Sequence, residues 1–235
     1  MGEYSLTLEG VSIHSPTSPE KGNAMKLTVL GATGGVGRQI VTHALADGHK
    51  VTAAVRDPAR LGVEHANLDV VRADALDAAS LRGVVDGAEA VLSGMGQAGR
   101  TDPLKPASAS ARAVVDAMRA TGARRLVVVS AAPLNRTGAG QPWVTHKLVV
   151  PVMWAALREL YTDLETMERI LRDSGLDWTS VRPPRLTNAA GKGTYRHAVE
   201  AGPAGSSISR ADVARAMLDF VTVPETVGHA VGVSN

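Results

Sequence analysis

A chain of 235 residues, 44% of them hydrophobic, suffices for one domain of ordinary size built around one sizeable core. It contains no cysteine, which excludes a disulfide framework, thiolate catalysis, iron–sulfur ligation and a cysteine zinc site, and fits a cytoplasmic protein. A formal net charge of +2 is close to balanced, and an aromatic content of 3% leaves few rings for stacking bases, so nucleic acid is not an expected partner.

The opening stretch, MGEYSLTLEGVSIHSPTSPEKGNA, has no cationic start, no apolar block and no small-residue cleavage site, so it does not read as a secretory signal. Residues 1–24 are expected to form a loosely attached, flexible extension, and the domain proper to span 25–235. The alternation of Leu6, Leu8, Val11 and Ile13 also allows a small edge hairpin, and the Ser/Pro/Glu-rich end reads as a linker.

From Met25 onward, short apolar runs (KLTVLGA, KVTAAVR, LDVVRAD, EAVLSGMG, RRLVVVSAA) alternate with longer amphipathic ones (GRQIVTHALADG, ASLRGVVDG, ASARAVVDAMRATG). Leu126 to Val129 are apolar at consecutive positions, as strands covered on both faces require. The expected class is α/β, a doubly wound parallel sheet of the Rossmann type in a single domain. Gly48, Gly122 and Gly175 follow helical stretches and suit the left-handed cap position.

The second half is less regular, with a small irregular substrate region at its end. It is predicted to contain a loop from Pro133 to Pro142, a helix from about Tyr161 to Ser174, the strand DWTSV and the loop RPPRLTNAAGKGTY. A last helix follows Ser209, which caps it, with Asp212 in the positive first turn. The apolar run LVVPVMWAAL, Leu148 to Leu157, is half a membrane span and contains Pro151, so it is expected to be a buried or lid segment; no transmembrane helix and no membrane partner are expected.

LTVLGATGGVGRQIV, from Leu27 to Val41, carries glycines at three-residue spacing between a predicted strand and a predicted helix. A strand entering a helix through a tight turn leaves the first helical N–H groups pointing outward at the positive end of the helix dipole, which is an anion site. Gly31 permits the sharp exit, Gly34 lacks the Cβ that would hold a pyrophosphate away, and Gly37 lets the helix approach the sheet. The spacing is G-x-x-G-x-x-G, which differs from the usual dinucleotide fingerprint, and glycines serving turn geometry alone are the competing reading. At the end of the second strand, AAVRDP presents Arg56, whose guanidinium suits a ribose 2′-phosphate and so favours NADP(H) over NAD(H). Asp57 belongs either to that loop or to a helix start.

With GATGGVG, VRDP, VRAD, VLSGMG, RRLVVVSAA and SGLDWTSVRPPRLT in this order, the chain resembles the atypical short-chain dehydrogenase/reductases. Within them it is similar to the NAD(P)H-binding group that includes the NmrA-like proteins and the biliverdin reductase B or flavin reductase type. The resemblance covers nearly everything from Met25 onward. It implies that Gly31, Thr33, Gly34, Gly35, Val36 and Gly37 receive the pyrophosphate and that Arg56 falls on the 2′-phosphate position. It also implies that Asp74 lies beside the adenine, that Gly94, Met95 and Gly96 border the ribose and pyrophosphate, and that Pro183 stands near the nicotinamide carboxamide. Ser130 falls on the active-site serine and is expected to donate a hydrogen bond near the reacting carbon. Read without the resemblance, Asp74 is as well a solvated loop carboxylate, and Ser130 a strand-end hydroxyl bonded to backbone.

Standard members of the superfamily use Tyr-x-x-x-Lys, the lysine lowering the tyrosine's pKa for proton delivery. The positions matching that pair are Leu160 and Leu164, both apolar; nearby Tyr161 has Glu165 four residues on, which is expected to raise the phenol's pKa. Hydride transfer needs no such tyrosine when the acceptor is electron-poor and its anion stable. The implied function is therefore an NADPH-dependent oxidoreductase acting on a planar, electron-poor small molecule such as a flavin, quinone or tetrapyrrole, with Trp143, His146, Lys147, Met153 and Trp154 available to cover it. The alternative is a non-catalytic NmrA-like dinucleotide sensor acting through protein partners. The histidines lack metal-ligand spacing, so no metal is expected. No motif fixes an oligomeric state.

Overall fold

The structure, a computed structural model, describes residues 24–96, 103–141 and 143–235, together with the backbone of strand segments 7–8 and 11–14. Leu6, the linker-like stretch 15–23 and Pro142 lie outside the described residues. Thr7–Leu8 (β1) and Val11–His14 (β2) pair antiparallel as a hairpin, the arrangement that the apolar alternation there allows.

From Lys26 the chain alternates strand and helix: β3 Lys26–Leu30, α1 Gly35–Ala46, β4 Lys50–Val55, β5 Leu68–Arg72, α2 Ala78–Val85, β6 Ala90–Ser93, α3 Pro106–Thr121 and β7 Arg125–Val129. The second half follows with a π-helical turn over Thr145–Val149, α4 Val150–Ala156, α5 Arg158–Arg172, β8 Asp177–Arg182, β9 Arg185–Thr187, β10 Tyr195–Val199, β11 Ser207–Ser209, α6 Arg210–Asp219 and β12 His229–Ser234. Among the described residues, ten strands form one sheet in the order β1-β2-β10-β12-β8-β7-β6-β3-β4-β5, and β9 pairs with β11 in a small separate sheet. Every neighbour from β5 to β12 is parallel, and β10 runs antiparallel between β12 and β2. The strand order reverses between β3 and β6, so a crevice opens at their carboxyl ends.

The consecutive apolar residues of the inner strands divide between two faces. Val127 and Val129 of β7 enter one cluster with Ile40 and Val41 of α1 and Val213 and Met217 of α6, whereas Leu126 and Val128 enter the other with Met118 of α3 and Leu164 and Leu171 of α5. Alternation across the strand and burial on both sides explain why β7 reads as an unbroken apolar run. Each such side chain, once buried, contributes roughly 1.5–3 kcal/mol of transfer free energy.

Helix ends follow their sequence signals. Gly48, Gly122 and Gly175 have positive φ, and the Ser209 Oγ accepts from Asp212 N–H to cap α6. Asp57 caps a short 3₁₀ turn at Pro58–Arg60 by accepting from Ala59 N–H, so it belongs to a helix start.

Two expectations change. RPPRLTNAAGKGTY, expected as a loop, contains β9 and ends on the first residue of β10, because strands of three residues are too short to show a period. LVVPVMWAAL, expected as a buried or lid segment, is not enclosed: Met153, Trp154 and Leu157 pack partly buried against the core, while Leu148, Val149 and Val152 are 58%, 45% and 68% exposed, and Trp143 and Val144 beside them are also open. Among the described residues, no helix is long and apolar enough to cross a membrane.

Candidate dinucleotide and acceptor site

Gly31 leaves β3 at φ +70°, a conformation that L side chains rarely adopt. Space imposes the same requirement. A Cβ on Gly31 would stand 3.0 Å from the Gly94 carbonyl carbon, one on Gly94 would stand 2.8 Å from Gly37 N, and one on Gly37 would stand 2.1 Å from Gly31 O. The ends of β3 and β6 and the start of α1 thus touch backbone to backbone. Gly37 and Gly94 serve this packing. Gly34 is less confined: a Cβ there would meet Gly31 O at 3.2 Å and Gly94 O only at 4.0 Å.

Gly34 is the N-cap of α1 and has no side chain to cap it; the first bond at that end is Arg38 N–H to Gly34 O at 2.9 Å. The N–H groups of Gly35, Val36 and Gly37 therefore have no acceptor within the helix, while the Val36 side chain is buried in the core. Those N–H groups lie at the positive end of a 12-residue helix, which is the chemistry that a pyrophosphate requires.

A cleft of about 170 Å³ opens beside this turn, lined among others by Gly31, Thr33, Arg56, Asp74, Met95 and Gly96. Arg56 follows β4 and is exposed, with its guanidinium free to meet an anion at the cleft. Asp74 follows β5; its Oδ1 accepts from Leu76 N–H at 3.0 Å, and its N–H donates to Ser80 Oγ at 2.9 Å, so the carboxylate is oriented by its own turn while lining the cleft. A nicotinamide dinucleotide fits this set in its chemistry: helical N–H groups without an acceptor for phosphates, with a cation and a carboxylate facing the cleft beside them.

Ser130 and Pro183 leave adjacent strands whose exits are bound to each other, with Ser130 N–H donating to Val181 O at 2.7 Å and Ala132 N–H to Pro183 O at 2.8 Å. The Ser130 hydroxyl bonds to a side chain and not to backbone: it donates to Glu168 Oε1 at 2.9 Å. The same oxygen accepts from Ser180 Oγ at 2.8 Å and Arg182 Nε at 2.9 Å, and Arg182 Nη2 meets Oε2 at 2.5 Å. Glu168 is 2% exposed. Burial pulls the Arg182 guanidinium down, but Glu168 outweighs it and holds its pKa above the ordinary arginine value. Because a serine has one proton to donate, Ser130 in this arrangement offers a lone pair to the site, whereas its sequence position suggested a donor.

Leu160 and Leu164, expected to match the Tyr/Lys pair, both lie on α5, and Leu164 is buried. Tyr161 is 3% exposed, with its ring 5.2 Å from that of Trp154, and its pKa is raised by burial. Glu165, expected to act on Tyr161, instead pairs with Arg136 at 3.1 Å. Asp163 is also buried, and it caps α3 by accepting from Ala107 N–H and Ser108 N–H, each at 3.0 Å.

Sequence reading missed Glu168 and Arg182. The signal available was a carboxylate on the same helical stripe as Tyr161, Leu164 and Leu171, which buries a charge and demands a partner.

Beyond the loop that follows β7 lies a groove of about 440 Å³, lined by Arg136, His146, Lys147, Val150, Pro151 and Trp154. Trp154 Nε1 donates to Pro133 O at 2.9 Å, and the Arg136 guanidinium lies 4.0 Å from the Trp154 ring centre. The buried His146 Nδ1 has no hydrogen-bond partner. Of the residues expected to cover an acceptor, His146, Lys147 and Trp154 are brought together here, and the exposed Trp143 does not line the groove.

Residues 31–224 match the model of a family described as NAD(P)H-binding. Over 157 residues the chain is 32% identical to a (4-alkanoyl-5-oxo-2,5-dihydrofuran-3-yl)methyl phosphate reductase of Streptomyces griseus, covering 67% of this chain and 46% of that one; it thus spans about half the length of this relative. Its fold is similar to that of a wide-type short-chain dehydrogenase/reductase of Veillonella parvula in complex with NADP, with a TM-score of 0.75, 21% identity, and 90% and 94% of the two chains covered. It is also similar in fold to a Streptococcus pneumoniae protein described as an NADH-flavin reductase, with a TM-score of 0.72, 23% identity, and 90% and 100% covered. The chain belongs to the NAD(P)H-binding family, as its resemblance to the NmrA-like and flavin-reductase group of short-chain dehydrogenase/reductases implies.

Proposed function

We propose that this protein is a cytoplasmic, NADPH-dependent oxidoreductase that transfers hydride to a planar, electron-poor small molecule. The observation that carries the reading is the cleft that Arg56 shares with Gly31 and Thr33 of the turn leading into the uncapped start of α1. The bound dinucleotide supplies the hydride. The N–H groups of Gly35, Val36 and Gly37 hold its pyrophosphate, Arg56 its 2′-phosphate, and Asp74, Met95 and Gly96 border the adenosine half. Ser130 and Pro183 flank the nicotinamide end, where the Ser130 lone pair orients a carboxamide or acceptor N–H.

With Leu160 and Leu164 in place of a tyrosine and lysine, no side chain there can deliver a proton, so the acceptor has to stabilise its own anion. The Streptomyces griseus relative supports this class, since its named substrate is a ring alkene conjugated to two carbonyl groups and carrying a phosphate. Arg136 and Lys147 around the Trp154 groove offer cations to an acceptor of that kind.

The sensor reading is favoured by one observation, the open apolar surface of Trp143, Val144, Leu148, Val149 and Val152. The experiment that separates the two is loss of NADPH absorbance on adding FMN, quinones or conjugated enones. Turnover with one acceptor class is expected. Tight NADPH binding with no oxidation across the panel would replace the enzyme reading with the sensor.

A further inference from the structure

The small parallel sheet ends with Thr187 of β9 opposite Ser209 of β11. The next residue of each strand therefore leaves side by side, and Arg210 Nη1 donates to Asn188 Oδ1 at 2.6 Å. Ser209 caps α6, so Arg210 is the first residue of that helix and its direction is fixed by the cap. The buried Asp212 accepts from Lys192 N–H at 3.0 Å and Gly193 N–H at 2.9 Å, tying the connection after β9 to the same helix end.

From this mount the Arg210 side chain crosses to the dinucleotide turn. A Cβ on Gly35, the first residue of α1, would lie 2.7 Å from both Cδ and Nε of Arg210. The arginine occupies the space that a side chain at position 35 would take. Among the described residues, its guanidinium makes no ion pair with a carboxylate.

Two positive features thus converge on one point, the amino end of α1 and an arginine without a counter-ion. Held together alone they repel; with an anion between them, both are satisfied. We propose that Arg210 is a pyrophosphate-binding residue, delivered from the carboxyl-terminal half of the chain by the β9–β11 strap and steadied by Asn188. The proposal rests on the dinucleotide reading of the α1 turn. It divides the phosphate charges between two arginines: Arg56 meets the 2′-phosphate of NADPH alone, and Arg210 meets the pyrophosphate that NADPH and NADH share.

That division sets the test, calorimetric titration of NADPH, NADH and adenosine 2′-monophosphate into the full chain. Arg210→Gln is expected to weaken NADPH and NADH in the same proportion, roughly tenfold for one charge-assisted bond, and to leave adenosine 2′-monophosphate unchanged. Asn188→Ala, which leaves the α6 cap intact, is expected to shift both dinucleotides in the same direction by less. Unaltered affinity for both dinucleotides in a folded Arg210→Gln protein would overturn the proposal. So would a loss confined to NADPH, which would make Arg210 a second 2′-phosphate residue. Wild-type protein that binds neither dinucleotide would instead remove the reading on which the proposal rests, before any variant is measured.

Discussion

The two halves of the sheet's carboxyl edge treat their polar groups in opposite ways. Beside α1 and β4, Arg56 stands exposed, Asp74 faces the cleft, and three helical N–H groups have no acceptor within their own helix. Beside β7 and β8, Glu168 accepts four hydrogen bonds from Ser130, Ser180 and Arg182 and is shut away from water. At the opposite, amino end of the same two strands, Arg125 donates to Asp177 O, Thr179 Oγ1 and Phe220 O, and burial pulls its guanidinium down to about 10. The comparison teaches that availability decides a residue's role more than its type does. A buried carboxylate that holds two serines and a guanidinium is a structural brace, while an exposed arginine beside an uncapped helix is open to a ligand.

The sharpest way to break this comparison is to remove the brace. Glu168→Ala strands the Arg182 guanidinium in a nearly buried site, and breaking such a pair costs about 3–5 kcal/mol. Urea denaturation is expected to show that loss, while NADPH affinity of the folded fraction changes little. A loss below about 1 kcal/mol, the scale of an exposed ion pair, would mean that Glu168 is not a brace and is available for chemistry.

The opposite outcome is expected at the open half. Arg56→Ala leaves urea stability unchanged, since the side chain is exposed, and removes a charge-assisted bond of roughly 1.5–3 kcal/mol to the 2′-phosphate. NADPH affinity should fall about tenfold or more, with NADH affinity unaffected. Equal affinity of the wild type for the two cofactors would remove Arg56 from the phosphate site and erase the contrast between the halves.

The same contrast decides what the sequence reveals. The α/β class, the succession of strands and helices and the glycine turn are legible because each is written in local spacing: the unbroken apolar run of β7, glycines at 31, 34 and 37, and a cap at Ser209. Arg56 is legible because strand and turn place it. What spacing does not show is pairing across the chain. Glu168 meets Ser130 across 38 residues, and Gly35 meets Arg210 only where the small sheet folds back over α1. Ser130 can be placed at the end of its strand from sequence, but the direction of its proton depends on Glu168, whose partners lie on two strands.

The smallest effect is expected where the sequence most invites a catalytic reading. Tyr161 is a tyrosine one residue from the position that carries the proton donor in standard short-chain dehydrogenases, on the expected helix. If it served as a general acid, Tyr161→Phe would cost on the order of 10²–10⁴ in rate. Its surroundings argue otherwise. The ring is almost fully buried among Leu164, Met167 and Trp154, burial raises its pKa, and no lysine stands four residues away to reverse that shift. Glu165, the one ionisable neighbour at that spacing, is occupied by Arg136. Removing the hydroxyl leaves the packed ring in place, so stability is expected to move by no more than about 1 kcal/mol. With whichever acceptor supports NADPH oxidation, kcat/KM of Tyr161→Phe is expected to stay within a few-fold of wild type. A collapse of kcat/KM with NADPH affinity intact would show that Tyr161 reaches the reacting atoms, and that the polar groups of this second half are not all consumed by the fold.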